Sequence, residues 1–136
     1  MRLFFGIYIM KVYLVKFTKD GKEAYKIGHT KFFKVHKRFE DPQYDIFDSI
    51  DVLDSIYITH DNPVIARNRA KYVEGWLQCF FPKNFWLEKY FNTEAKVFDG
   101  LSGITEMFII DNKTVIDEEM ILRVFDNVKK HVMRSI

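Results

Sequence analysis

The sequence predicts an α+β fold in which a small three-stranded antiparallel sheet is flanked by helices, with an extra C-terminal strand and helix. Short segments rich in Val, Ile, Tyr and Phe are separated by turn residues, which is typical of strands. Longer segments carry apolar residues at spacings of three and four and begin near capping residues, which is typical of helices. Because both kinds of segment occur along one short chain, a mixed fold is expected.

The chain of 136 residues is predicted to be a single domain, because domains cluster near roughly 100 to 150 residues. It contains 14 Phe, 7 Tyr and 2 Trp, so it has enough large side chains to form a core, and a disordered chain is excluded. The 21 Lys and Arg against 19 Asp and Glu leave a formal charge of +2. This charge is too balanced for a protein that binds nucleic acid by net charge alone.

Cysteine usage and hydropathy limit the compartment. The single cysteine, Cys79, cannot form an internal disulfide, and its neighbours predict a buried small apolar residue. No apolar segment approaches the roughly 20 residues of a membrane span. We therefore expect a cytoplasmic protein with no membrane partner. The composition also fits a phage gene, and in that case the cytoplasm would be that of a bacterial host. Residues 1–10 are not expected to be a secretory signal. If Met10 is an alternative start, residues 1–9 are expected to form an extra strand or a loose arm.

The predicted strands begin with a hairpin over residues 11–17 and 23–28. The turn between them contains Asp20-Gly21, a pair that favours a tight hairpin. A third strand over residues 49–59 is expected to join this sheet, and a short strand is expected over residues 104–110.

Three helices are predicted. In the first, Phe32, Val35 and Phe39 share a face between Thr30, which we expect to be its N-cap, and Asp41-Pro42. The second spans about residues 63–80 after a capping residue at 61–62. Its expected core face comprises Ala66, Ala70, Val73, Leu77 and Phe80, and a neighbouring stripe comprises Arg67, Glu74 and Gln78. The last spans about residues 114–133 and has acidic residues first and basic residues last.

One constellation carries chemistry. Lys11-Val12-Tyr13 and Lys26-Ile27-Gly28 lie on the paired strands, His29 follows, and Arg38 and Glu74 lie on the next two helices. This order resembles the GIY-YIG nuclease superfamily. The resemblance covers residues 10 to about 90, which would form the catalytic core, and residues from about 91 to 136 would form a C-terminal extension.

The sequence departs from the family pattern at the second tyrosine. Lys26 stands there and Tyr25 comes directly before it, so either residue could fill that place. Some restriction endonucleases of this superfamily also have Lys-Ile-Gly followed by His. The literal Gly6-Ile7-Tyr8 lies too far upstream of Lys26 for the usual hairpin, so we prefer Tyr13 as the first tyrosine.

The resemblance implies a metal-dependent DNA endonuclease and a role for each residue. Glu74 would hold Mg²⁺ or Mn²⁺, with waters and a substrate phosphate completing the octahedron. Arg38 would bind phosphate oxygens. Tyr13 would be the general base; because a free phenol has a pKa of about 10, such a base needs a nearby cation or a concerted proton transfer. Lys26 would be that cation, or a neutral Lys26 would take a proton from Tyr13. His29 would orient water or contact phosphate, and Gly28 and Tyr25 would face the substrate backbone.

Other interpretations stay open. The altered second tyrosine and the near-neutral charge also fit a catalytically silent GIY-YIG-like module that binds nucleic acid or a protein. A structural phage protein without a nucleic-acid role is more remote.

An active single site would cut one strand at a time, and a homodimer through the last helix would supply a second site. The aromatic and basic residues of 81–91 could stack on bases, although core packing is the simpler explanation. His60 and Asp61 lack further ligands at zinc spacing.

Overall fold

In a computed structural model, which describes residues 2–4, 6–31, 34–81, 91, 107–109 and 117–134, the chain is an α+β protein with an antiparallel sheet. The elements of this part of the chain are strands β1 (Arg2–Phe4), β2 (Ile7–Lys19), β3 (Lys22–Thr30), β4 (Ser49–His60) and β5 (Met107–Ile109), helices α1 (Pro63–Gln78) and α2 (Glu118–Arg134), and the 3₁₀ turns Val35–Phe39 and Pro42–Tyr44. Strand β2 is central: it pairs with β4 on one side and with β1 and β3 on the other, and β5 pairs with β3.

The predicted hairpin forms the centre of the sheet. Asp20 and Gly21 have φ angles of 53° and 75°, as a type I′ turn requires, and this turn matches the twist of the strands that it joins. The register runs from Lys19 opposite Lys22 to Lys11 opposite Thr30. Both strands are longer than predicted. Of residues 1–9, which were expected to form an extra strand or an arm, residues 2–4 form the extra strand β1 and residues 7–9 begin β2 itself.

The predicted third strand is confirmed as β4. It pairs with β2 from Thr18 opposite Ser49 to Tyr8 opposite His60, with a register shift at Leu14 and Val15. The shift leaves Leu53 as an extra, unpaired residue between Val52 and Asp54. The alternation of side chains between the two faces of the sheet is therefore interrupted at Leu53. This irregularity accounts for the imperfect alternation in the sequence of β4.

The two sides of the sheet have different covers. The side that α1 and α2 cover is called the helix face; its buried sheet residues are Met10, Val12, Leu14, Tyr25, Ile27, Ile56, Ile58 and Phe108. The opposite side, covered by the two 3₁₀ turns, is called the turn face; its buried sheet residues are Tyr13, Val15, Phe17, Ala24, Lys26 and Met107. Each fully buried large apolar side chain contributes about 1.5–3 kcal/mol relative to exposure, so both faces stabilise the sheet.

Helix α1 begins as the sequence predicts. The Asn62 side chain accepts hydrogen bonds from the backbone N–H groups of Val64 and Ile65, and Pro63 occupies the first turn. Ala66, Ala70, Val73 and Leu77 are buried, as expected. The expected end was wrong: the helix stops at Gln78, so Phe80 leaves the helical face and is 48% exposed. Cys79, the C-cap, is also exposed rather than buried.

Among the described residues, the helix predicted between the hairpin and Asp41 is present as a short 3₁₀ helix, Val35–Phe39, and not as a longer helix capped by Thr30. Thr30 is the last residue of β3, opposite Lys11, rather than an N-cap. Lys34 is still extended, so too few residues remain before Pro42 for more than a single 3₁₀ turn. That turn nevertheless buries Val35 and Phe39 on the turn face, so these two apolar residues, four apart in the sequence, do lie on one buried side as predicted. Phe32 lies outside the described residues.

The C-terminal strand and helix are present as β5 and α2. The predicted starts at residues 104 and 114, the end at residue 110 and the stacking residues of 82–90 lie outside the described residues. Phe81 and Phe91, at the two ends of that segment, are buried. Neither helix of the described chain combines the length and the apolarity that crossing a bilayer would require.

Candidate functional site

Tyr13 and Lys26 form a buried pair on the turn face. In the hairpin Tyr13 lies opposite Gly28, and Lys26 is two residues from Gly28, so both side chains extend from the same side of the sheet. The Lys26 ammonium donates a hydrogen bond to the Tyr13 hydroxyl at 3.1 Å. Tyr13 is 1% exposed and Lys26 is 3% exposed. The pair therefore holds an amine against a phenol, with both side chains almost closed to water.

Gly28 makes room for this pair. A Cβ atom at Gly28 would lie well inside van der Waals contact with the hydroxyl and ring of Tyr13. The absence of a side chain thus lets the tyrosine lie flat across β3. The resemblance assigns this glycine to approach by the substrate; in the fold its space is filled by Tyr13.

The cover of the turn face places Arg38 near the pair. The ring of Phe39 packs edge-on against Tyr13, with centroids 5.4 Å apart, and Lys26 Nζ lies 5.8 Å from the centre of the same ring. The Arg38 guanidinium lies 5.9 Å from the Phe39 ring and donates to the Tyr44 hydroxyl at 3.0 Å. Arg38 is thus on the same side of the sheet as Tyr13, with Phe39 between them. No motif or spacing in the sequence predicts the contact with Tyr44.

His29 and Glu74 form a second pair, on the helix face. His29 Nδ1 and Glu74 Oε2 are 2.7 Å apart, and their side chains are 27% and 13% exposed. Gln78 lies one turn further along α1 and donates to the Ile27 carbonyl at 2.9 Å, with a longer contact of 3.5 Å to Glu74 Oε1. The predicted stripe thus brings Glu74 and Gln78 to β3, whereas Arg67 is exposed.

The two pairs extend from opposite sides of the same strand. Along β3, Lys26 and Gly28 belong to the turn face, and Tyr25, Ile27 and His29 belong to the helix face, as strand alternation requires. The structure therefore brings together Tyr13 with Lys26 and His29 with Glu74, but not all of these residues in one cleft. They are separated by the thickness of a single strand.

The outer edge of β3 is where the two pairs come nearest to a common surface. Strand β5 pairs only with residues 24–26 of β3. In the part of the chain that the structure describes, no strand pairs with residues 27–30 on that side. This edge carries Gly28, which is buried, and His29, which is partly exposed, and it lies between the two pairs.

Tyr25 lies away from Tyr13, on the helix face. Its hydroxyl lies 3.0 Å from Glu118 Oε1 and 3.1 Å from Glu23 Oε2, so its one proton is shared between two carboxylates, and Lys16 lies 3.0 Å from Glu118. Burial, together with the hydrogen bond to Glu118, raises the pKa of Tyr25 far above its usual value. This environment keeps Tyr25 neutral and ties the hairpin to α2. Of the two residues considered for the second tyrosine position, Lys26 is the one that contacts Tyr13.

Other candidate ligands do not cluster. His60 contacts only its neighbour Asp61 among the carboxylates, at 2.9 Å. No group of three or more His, Cys, Asp or Glu side chains suited to a metal ion occurs among the described residues. A metal at Glu74 would therefore depend on one carboxylate, water and substrate.

Comparisons with known proteins return no significant match to any protein-family model, curated protein or solved structure. The resemblance to GIY-YIG nucleases accordingly stays a prediction that rests on five residues and their order.

Proposed function

We propose that the chain is a metal-dependent DNA endonuclease of GIY-YIG type that hydrolyses one phosphodiester bond at a time at the outer edge of β3. The hydrogen bond from Lys26 to Tyr13 carries this proposal. It joins the two positions that the resemblance assigns to the tyrosine pair. A buried cation on a phenol is also the environment that a tyrosine base needs.

The proposed chemistry of the Tyr13–Lys26 pair is proton transfer. An ammonium group stabilises a phenolate more than a phenol, so Lys26 favours the form of Tyr13 that accepts a proton. Tyr13 would take the proton of a water molecule as the water oxygen bonds to phosphorus and the bond to the leaving oxygen breaks. Arg38 would bind non-bridging phosphate oxygens, where negative charge grows in the transition state.

Glu74 fits the role of a Mg²⁺ or Mn²⁺ ligand. Its Oε2 is held by His29, and among the described residues its Oε1 has only the long contact to Gln78, so one oxygen keeps lone pairs for a cation. Metal-ligating carboxylates are commonly oriented by such hydrogen bonds. When bound, the ion would supply positive charge to the phosphate and the leaving oxygen.

The edge of β3 supports a single site made from two faces. Gly28 is buried, so a phosphate would reach this edge only after a local movement of the fold. It would then have Glu74 and His29 on one side and Tyr13 and Lys26 on the other. Access to the Tyr13 hydroxyl requires the 3₁₀ turn of Val35–Phe39 to move outward, because Phe39 covers Tyr13.

The test is nicking of supercoiled plasmid at low salt with Mg²⁺, with Mn²⁺ and with EDTA. Nicking is expected with either metal, and EDTA or Glu74→Ala should abolish it. Glu119→Ala is the matched control, since Glu119 is an exposed glutamate on α2 that forms an ion pair with Arg123. Retained nicking in Glu74→Ala would refute the proposed role of Glu74.

The second candidate is a catalytically silent module that binds nucleic acid or a protein, and two observations favour it. Tyr13 and Lys26 are almost fully buried, and Glu74 lies on the other face of the sheet. Such a module should nick no plasmid under any of these conditions while circular dichroism shows it folded. Its binding should also tolerate EDTA and Glu74→Ala.

A further inference from the structure

A groove of about 710 Å³ lies between α1, α2 and the end of β4. Its walls include Ile58, Arg69, Tyr72, Trp76 and His131. None of the residues proposed for hydrolysis lines it. Its volume is in the range of sites that bind small molecules or single residues of a polymer, about 300–1,000 Å³.

Aromatic side chains form one wall of the groove. Tyr72 and Trp76 are one turn apart on α1, so both extend from the same side of the helix. Trp76 packs edge-on against His131, with centroids 5.4 Å apart, whereas Tyr72 is 75% exposed and has no ring contact within the described residues. An exposed tyrosine ring beside a second aromatic offers a flat surface for stacking.

The charge of the groove is positive. Arg69 lies three residues before Tyr72 and has neither a hydrogen bond nor an ion pair with any described residue. His131 lines the opposite wall, and Arg134 follows it one turn later on α2. None of the described residues that line the groove is acidic. The groove therefore combines stacking surface with a cation whose donors are available for an anion.

We propose that this groove binds single-stranded nucleic acid, with a base stacked on Tyr72 and the adjoining phosphate held by Arg69. The pairing of an aromatic platform with a guanidinium is the combination that binds single strands without sequence preference. A duplex does not offer the faces of its bases, and an apolar peptide would leave Arg69 without a partner. The inference does not depend on hydrolysis, because it concerns other residues and a different surface.

The test is fluorescence anisotropy of a labelled oligothymidylate of about 10 nucleotides, a length within the range of single-strand sites. EDTA is present throughout, so cleavage cannot affect the signal. Tyr72→Ala should weaken binding about tenfold, as expected for loss of one stacked base, and Tyr72→Phe should restore it because the ring is kept. Tyr57→Ala is the matched control: Tyr57 is 49% exposed, on the other face of the sheet.

The salt dependence tests the phosphate contact. Arg69→Ala should reduce the slope of log affinity against log salt by about 0.7, the value for one phosphate contact on a single strand. Lys71→Ala removes the same charge from the same helix but not from the groove, so its slope should stay close to that of the wild type.

Three results would overturn the inference: no binding of oligothymidylate at low salt by folded protein, wild-type affinity in Tyr72→Ala, or a dimer in sedimentation that Tyr72→Ala dissociates. The last result would make the groove a contact between two copies of the chain. If the protein binds oligothymidylate but does not nick plasmid, the proposal of hydrolysis is refuted and the proposal for the groove stands. If the protein nicks plasmid and Tyr72→Ala leaves binding unchanged, the proposal for the groove is refuted and the proposal of hydrolysis stands.

Discussion

Gly28 lies beneath the Tyr13 ring, where any side chain would collide with the hydroxyl. Gly28→Ala should therefore destabilise the fold by about 1–3 kcal/mol, the usual range for overpacking a filled site. Chemical denaturation measures this. Gly75→Ala is the control, because an added Cβ there meets nothing within 4 Å, and alanine should stabilise the helix by about 0.5–1 kcal/mol. Equal stability of the Gly28→Ala variant and the wild type would contradict the packing described.

The contact between Tyr13 and Lys26 could be predicted in part from the sequence. The two-residue turn fixes the hairpin register, and the register puts Tyr13 and Lys26 on one face, so sequence reasoning reaches this contact. The partner of Arg38 could not be predicted, because it depends on how residues 34–47 fold back over the sheet. Tyr44 reaches Arg38 through two short 3₁₀ turns that no periodicity marks.

At the scale of elements, helix α2 is tied to the hairpin by Glu118. The Lys16 ammonium hydrogen bonds to Glu118 and holds the pKa of Glu118 below its usual value, and the same contact raises the pKa of Lys16. A lowered carboxyl pKa stabilises the fold fully above pH 4.5, and this contribution is lost as the pH falls through the lowered value. The Lys16 contribution is complete below pH 10.5 and is lost as the pH rises through the raised value.

Glu118→Gln should accordingly lower the free energy of unfolding near neutral pH. The difference in this free energy between the variant and the wild type should become smaller as the pH falls below 4.5. Urea unfolding at a series of pH values measures both effects. Glu119→Gln, a change to the neighbouring exposed glutamate, should leave the pH dependence close to that of the wild type. A difference between Glu118→Gln and the wild type that is constant over pH 3–7 would argue against the ion pair.

The stability of helix α1 depends on its N-cap residue, Asn62. Asn62→Ala removes the acceptor of two backbone N–H groups and should cost about 1 kcal/mol of stability. Asn68→Ala is the control, since Asn68 is exposed in the helix interior and alanine has the higher helix propensity. Thermal unfolding by circular dichroism distinguishes them, and similar melting temperatures in both variants would be inconsistent with this cap.

The sequence predicts the start of α1 better than its end. Asn62-Pro63 is a local signal read from adjacent residues, so the start needs no tertiary information. The end depends on the packing of Phe81 against Phe108 of β5, whose rings are stacked 4.7 Å apart. Because that contact joins residues far apart in the chain, the exposed Phe80 and Cys79 could not be predicted from spacing.

For the whole molecule, the sheet decides how the candidate site is arranged. The order of Tyr13, Lys26, Arg38 and Glu74 in the sequence says nothing about which side of the sheet each later element covers. That choice is made by the two cores: α1 packs on Leu14 and Ile27, and the 3₁₀ turns pack on Tyr13 and Phe17. Glu74 therefore reaches β3 from the side opposite Tyr13, which no local pattern predicts.

Our central claim is that both faces of β3 serve one hydrolytic site. Tyr13→Phe should slow nicking roughly 100-fold or more, as expected for loss of a general base. Tyr57→Phe is its control, because Tyr57 is an exposed tyrosine of β4 whose ring contacts Lys11.

The most direct measurement is the metal-dependent nicking rate of Tyr13→Phe, Glu74→Gln and the double variant. Residues that act on one phosphate act as a unit, so the account predicts that the double variant is about as slow as the slower single variant. Wild-type rates in either single variant, or two losses that multiply in the double variant, would contradict a shared site.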